Sequence, residues 1–209
     1  AFVGVTTMTL SSAAFLAASG VVGIAIGDTL FFVALIRLKP RRTVLLATVG
    51  QALTVVLAMV VLGERPSIVV WVGIIAIVSG VTWVMREQTG DNDEQVNQFW
   101  GVLAGIGAAL AMSVGLILAK IGLAECSALQ ATTVRLAAGM GALLLIGLTR
   151  GQLRTWLRPF AQRSRLLELA WADVVIVGGG FYLSMLALTL TDVTITSVLT
   201  STEPLFVLP

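Results

Sequence analysis

The chain has 209 residues, 57% of them hydrophobic and only 11% charged, with a net charge of +2 and a mean hydropathy of +1.00. A water-soluble domain of this length does not carry so much apolar sequence. Histidine is absent and Cys126 is the only cysteine, which excludes His/Cys metal sites, disulfides and Ser–His–Asp or Cys–His nucleophiles.

The hydrophobic runs reach the roughly 20 residues that a membrane-crossing helix needs. The short alternating segments of a β-barrel are missing. The expected fold class is therefore an all-α polytopic membrane protein. The chain begins and ends inside apolar sequence, so it reads as an internal piece of a longer protein.

Residues 1–5 read as the tail of a helix, followed by a Thr/Ser-rich turn. The first complete helix is predicted over 12–36, where Gly23-x-x-x-Gly27 permits close helix contact. A loop with four cations follows: Arg37, Lys39, Arg41 and Arg42. The second helix is predicted over 43–62, with Gln51 near its centre. Gly63-Glu64-Arg65-Pro66-Ser67 is so short a link that the second and third helices (the third over 68–85) must be antiparallel neighbours. Glu64 and Arg65 are read as organising that turn.

Residues 86–98 form the one clearly water-loving linker and divide the chain into a first half, 1–85, and a second half, 99–209. The fourth helix is predicted over 99–119, with Gly101 and Gly105 on one face, and the fifth over 127–148, with Arg135 inside it. Leu153, Trp156, Leu157 and Phe160 then recur at i, i+3, i+4 and i+7, with Arg150, Arg154 and Arg158 on another face. This pattern predicts a helix lying in the membrane surface, with binding of anionic lipid as the sharper alternative. The sixth helix is predicted over 169–190 and carries Gly178-Gly179-Gly180 and Tyr182.

The seventh helix starts at Val193 and holds Glu203 near its middle. A charged group at helix centre costs about 2.5–3.5 kcal/mol on insertion scales, so it is expected to face a bundle interior or a wet cavity. Pro204 follows at once and predicts a kink, with Thr200, Ser201 and Thr202 supplying hydroxyls to the loosened backbone. The five tryptophans, 71, 83, 100, 156 and 171, fall at predicted helix ends or in a loop, as an aromatic belt requires.

The two halves also align with each other. Gly27-Asp-Thr-Leu-Phe-Phe-Val-Ala-Leu35 lies over Gly180-Phe-Tyr-Leu-Ser-Met-Leu-Ala-Leu188, and with one residue of slippage Gln51 lies over Glu203. Repeats of this kind are common in secondary transporters, with the substrate site between the repeats. Ala34-Leu35, then Gly63-Glu-Arg65, then Gly73 and Gly80 resemble the first-half signature of EamA-like members of the drug/metabolite transporter superfamily. Arg135 resembles the arginine common in the second helix of that family's repeat, and Glu203-Pro204 its Glu-Pro.

The resemblance implies a fragment of a ten-helix bundle of two inverted five-helix repeats. It also implies a carrier of small metabolites, amino acids or drugs in a bacterial inner (plasma) membrane. One departure is that the first-half counterpart of Glu-Pro is Gln51-Ala52. Orientation stays open. Arg37, Lys39, Arg41, Arg42, Arg86, Arg150, Arg154, Arg158, Arg163 and Arg165 share one side, which the positive-inside rule places in the cytoplasm. The family's usual topology places those loops outside.

The candidate substrate- or proton-binding residues are Glu203, Arg135, Gln51, Tyr182 and Asp28. Glu203 is read as a proton or cation site, and Arg135 as a carboxylate site. Each has a plainer alternative: an Arg135–Glu203 pair, a helix–helix hydrogen bond for Gln51, packing for Tyr182, and a wetted or ion-paired helix end for Asp28. The expected function is secondary transport by alternating access, with proton-coupled export as one form. A scaffold or passive channel is the alternative, and no enzyme constellation is visible. The implied partners are a small solute and the bilayer, with a homodimer left open, and no cofactor or nucleic acid is called for.

Overall fold

In a bilayer no water is available to backbone groups, so an apolar run satisfies its N–H and C=O groups within its own helix. The structure, a computed structural model, describes residues 8–38, 40–87, 95–153, 155, 170–171 and 173–200. Helix α1 spans Leu10–Leu38. Helix α2 is Pro40–Leu57, prolonged by a π-helical turn, Ala58–Leu62. Helix α3 is Ile68–Glu87, and α4 is Gln95–Gly122, ending in the 3₁₀ turn Leu123–Glu125. Helix α5 is Ala128–Thr149. Helix α6 begins as the π-helical segment Asp173–Gly178 and continues as Gly179–Leu190, and α7 is Val193–Thr200. Among the described residues there is no strand.

Each of the seven predicted membrane helices is present over its described residues, with ends displaced by a few residues, the seventh being described only to Thr200 and the helix tail read over 1–5 lying outside the described residues. The helices reach further than expected into the linker read over 86–98, because α3 runs to Glu87 and α4 starts at Gln95. The predicted surface helix after Arg150 lies largely outside the described residues. Helices α1 and α5 and the stretch Phe99–Glu125 are each long and apolar enough to cross a membrane. The chain is an all-α integral membrane protein. Trp71, Trp83, Trp100 and Trp171 are all exposed near helix ends, and Trp156 lies outside the described residues.

Local chemistry sets the helix ends. Thr9 caps α1 by accepting from the Ser12 backbone N–H. Ser127 and Gln130 form a reciprocal capping box at the start of α5. Gly63 ends α2 with φ of +69°, a left-handed conformation that glycine adopts without strain. The hydroxyls of Thr9 and Ser12 both donate to the Glu125 carboxylate, tying the start of α1 to the end of α4.

Helix α4 is the central post. It packs along α1 and α2, while α5 packs on α1, α6 on α5, and α7 on α2 and α6. Three helices meet where glycine lets them. A Cβ on Gly20 would lie 2.1 Å from the Arg135 carbonyl, and one on Gly115 would lie 2.7 Å from Gly23 Cα. The predicted pair Gly101 and Gly105 is likewise used in packing, against Leu38 and Leu46. Helix α1 is π-helical from Gly20 to Asp28. That i→i+5 pattern widens the helix where it meets α5, and such bulges cluster at functional sites.

Candidate functional site

Helices α1, α2, α4, α5, α6 and α7 surround a cavity of about 300 Å³. Asp28 from the π-helical segment, Gln51 from α2 and Arg135 from α5 all line it. Three of the five residues singled out by sequence therefore share one site. Glu203 and the kink expected at Pro204 lie outside the described residues. Tyr182 is not among the described lining residues and is 37% exposed, whereas its helix neighbours Phe181 and Ser184 line the cavity.

Arg135 is 7% exposed, unusually deep for a guanidinium. Its Cζ sits 5.6 Å from the centroid of the Phe181 ring, so the aromatic face takes part of its charge. Its Nη2 points at Gly23, where a Cβ would come within 3.1 Å. Asp28 is within electrostatic reach of Arg135, yet the structure shows no ion pair between them within 4 Å. The acid acting on Arg135 among the described residues is thus Asp28, on α1.

The hydroxyls on the opposite wall are used internally. Thr54 Oγ1 donates to Ser113 Oγ at 2.8 Å, and Ser113 Oγ lies 2.7 Å from the Ala109 carbonyl. These bonds tie α2 to α4 and leave that wall with little appetite for a ligand. Two buried polar atoms on lining residues differ: Arg135 Nε and Ser197 Oγ have no hydrogen-bond partner. Ser197 is 1% exposed. A buried donor without an acceptor costs about 1–3 kcal/mol, more when charged, so these two atoms have hydrogen-bonding capacity that no described residue uses. Met112, Leu116 and Ile24 supply apolar wall beside them.

Sequence reasoning passed over Thr54, Ser113, Phe181 and Ser197. The signal for Thr54 was present, since it follows Gln51 by three residues and so shares a face of α2. Phe181 and Ser197 sit in helices that are apolar or hydroxyl-rich all round, where no periodicity picks out an inward face.

No curated protein and no solved structure matches the chain. The model of the EamA-like transporter family matches residues 1–86 and 99–209, two stretches that together take in both halves of the bundle. This agrees with the resemblance carried by Gly63-Glu-Arg65, Arg135 and Glu203-Pro204. The chain belongs to the EamA-like transporter family, a group of membrane transporters of the drug/metabolite superfamily.

Proposed function

We propose that the protein is a secondary carrier working by alternating access, and that Arg135 holds the anionic group of a small solute in the cavity between α1, α5 and α7. The observation that carries this reading is the unpartnered Nε of a buried arginine and the unpartnered hydroxyl of Ser197, on two residues that line one cavity. A carboxylate accepts from both, in the charge-assisted geometry that guanidinium groups favour. Asp28 on the same wall suits a cationic group of the same solute or a co-transported proton. At about 300 Å³ the cavity is at the small end for ligand sites, which favours a solute of a few heavy atoms over a bulky drug.

Purified full chain in proteoliposomes, loaded with one unlabelled solute at a time, tests the reading by counterflow. Small carboxylates and zwitterions are expected to drive saturable uptake of their labelled form, and amines of equal size are not. Uptake that never saturates supports a passive channel, and uptake of amines alone contradicts the assignment to Arg135.

Proton coupling is assigned to Glu203, because a carboxylate near the middle of the seventh helix predicted from the sequence suits a proton carrier. Glu203→Gln is expected to abolish uptake driven by a pH gradient while leaving the thermal midpoint within a few degrees. Unchanged proton-driven uptake removes Glu203 from that role. A bacterial inner membrane, with the cation-rich loops facing the cytoplasm, is the location this reading favours.

A further inference from the structure

The turn between α6 and α7 is gripped by charge from two sides. Lys120 of α4 donates from Nζ to the Leu188 carbonyl at 2.6 Å and the Thr191 carbonyl at 2.8 Å, closing the C-terminal end of α6. Glu64, from the α2–α3 turn, accepts from the backbone N–H groups of Val193 and Thr194, each at 2.9 Å, and from the Thr194 hydroxyl at 2.6 Å. A cation at a helix C-terminus and an anion at a helix N-terminus both match the helix dipoles. Glu64 is remote in sequence from its partners and comes from the other half of the chain.

Directly beneath these caps lies an apolar plug. Leu16 of α1, Ala58 of α2, Ile117 of α4, Met185 of α6 and Val193 of α7 pack in one buried cluster that draws on both halves. The cluster at the opposite end, Ala34, Leu38, Leu46 and Ala104, joins only α1, α2 and α4 among the described residues. At the end bearing Glu64 the cover thus draws on α6 and α7 as well, whereas among the described residues the cover at the end bearing Arg37 and Arg42, which also joins the halves through α4, does not. A cleft of about 210 Å³, lined by Arg65 and Ser67 from one turn, Asp192 from the other and Ile195 from the first turn of α7, shows that these segments meet at Glu64 without packing solidly around it.

We infer that this end is the gate of the carrier and that Glu64 is its latch. Glu64 fastens α7, whose Thr196 and Ser197 line the cavity, to the α2–α3 turn of the other half. A solute passes that end only when the three bonds to Glu64 break and the plug parts. The inference rests on the carrier reading above, because a gate has meaning only if the cavity alternates between two openings. The seal itself is a property of side chains on the page.

The test uses full chain in proteoliposomes, with Cys126→Ser as background and Ser184→Cys as a reporter on the cavity wall. A membrane-impermeant maleimide is applied from the side of the Gly63–Ser67 turn. Glu64→Gln is expected to raise the labelling rate from that side by about tenfold or more, since one charge-assisted cap shifts the closed–open balance by that order. Lys120→Met breaks the second grip without touching Glu64 and is expected to act in the same direction. Labelling unchanged in both variants overturns the gate.

Ser67→Cys paired with Ile195→Cys supplies an independent arm. Closing that disulfide is expected to stop counterflow of a solute found to be carried, and reduction to restore it. Counterflow that continues across the closed disulfide overturns the gate as well. Labelling needs no solute, so loss of counterflow in an Arg135 variant with normal labelling faults the binding site alone. A reporter labelled equally from both sides in the background protein overturns the carrier reading and the gate with it.

Discussion

Gly115→Ala is expected to lower the thermal midpoint of the purified protein and cut its yield, whereas Gly141→Ala holds or slightly raises the midpoint. A Cβ on Gly115 would stand 2.7 Å from Gly23 Cα, 3.0 Å from Gly23 N and 3.2 Å from the Ser19 carbonyl. These neighbours are backbone atoms of α1, so no rotamer change relieves the clash, and α1 and α4 must separate. Separation also stretches the bond from Ser19 Oγ to the Gly115 carbonyl, now 2.6 Å and fully buried. Overpacking of a tight core costs about 1–3 kcal/mol, and the lost buried hydrogen bond adds about 1 kcal/mol. Nothing lies within 4 Å of the Cβ position on Gly141, so alanine there is a control for helix propensity alone. Equal midpoints for the two variants in a detergent melt would contradict the close packing of α1 on α4.

Arg135→Gln is expected to reduce transport by about two orders of magnitude without destabilising the fold, because hydrogen bonds to charged groups are worth about 1.5–3 kcal/mol and the solute also loses a counter-charge. The stability half of this prediction separates a binding residue from a structural one. Arg135 is buried, has an unpartnered Nε and forms no close ion pair with Asp28. Removing a desolvated and poorly compensated cation relieves a penalty, where removing one partner of a tight buried pair would impose one. Glutamine also keeps some contact with the Phe181 ring, so little cavity is created. Asp28 then loses its counter-charge, and the double variant Asp28→Asn/Arg135→Gln is expected to be at least as stable as the native chain. A large fall in midpoint for Arg135→Gln, reversed by no change at Asp28, would mark Arg135 as a packing residue.

The helices were legible because each apolar run is bounded by cations, glycines or prolines, as at Arg37–Arg42 and Gly63–Ser67. Asp28, Gln51 and Arg135 stood out because a polar group inside such a run needs a reason to be there. Two kinds of information were not legible. The first is helix face. The π-helical segments Gly20–Asp28 and Asp173–Gly178 insert extra residues into the turn, so a 3.6-residue period does not carry a face through them. Tyr182 was singled out with packing as its alternative, and its neighbours Phe181 and Ser184 are the residues of this helix that line the cavity.

The second is pairing over long distances in sequence. Glu64 was read as organising its own turn, but it caps a helix in the other half. Lys120, from the second half's first helix, reaches the carbonyl end of α6 in the same way. Nothing in either local pattern records those partners, because a capped helix end is completed by tertiary contact. The glycines were read as packing residues, and Gly20, Gly23 and Gly115 do pack, but only the assembled helices show which backbone each one meets.

The claim on which the rest depends is that the buried guanidinium meets the solute. The most direct check is a structure of the full chain with a transported carboxylate or zwitterion bound. An anionic oxygen within about 3 Å of Arg135 Nε or Nη, with the Ser197 hydroxyl on the same group, is the predicted result. A solute lodged elsewhere, with Arg135 drawn instead into a direct pair with Asp28 or Glu203, would contradict it.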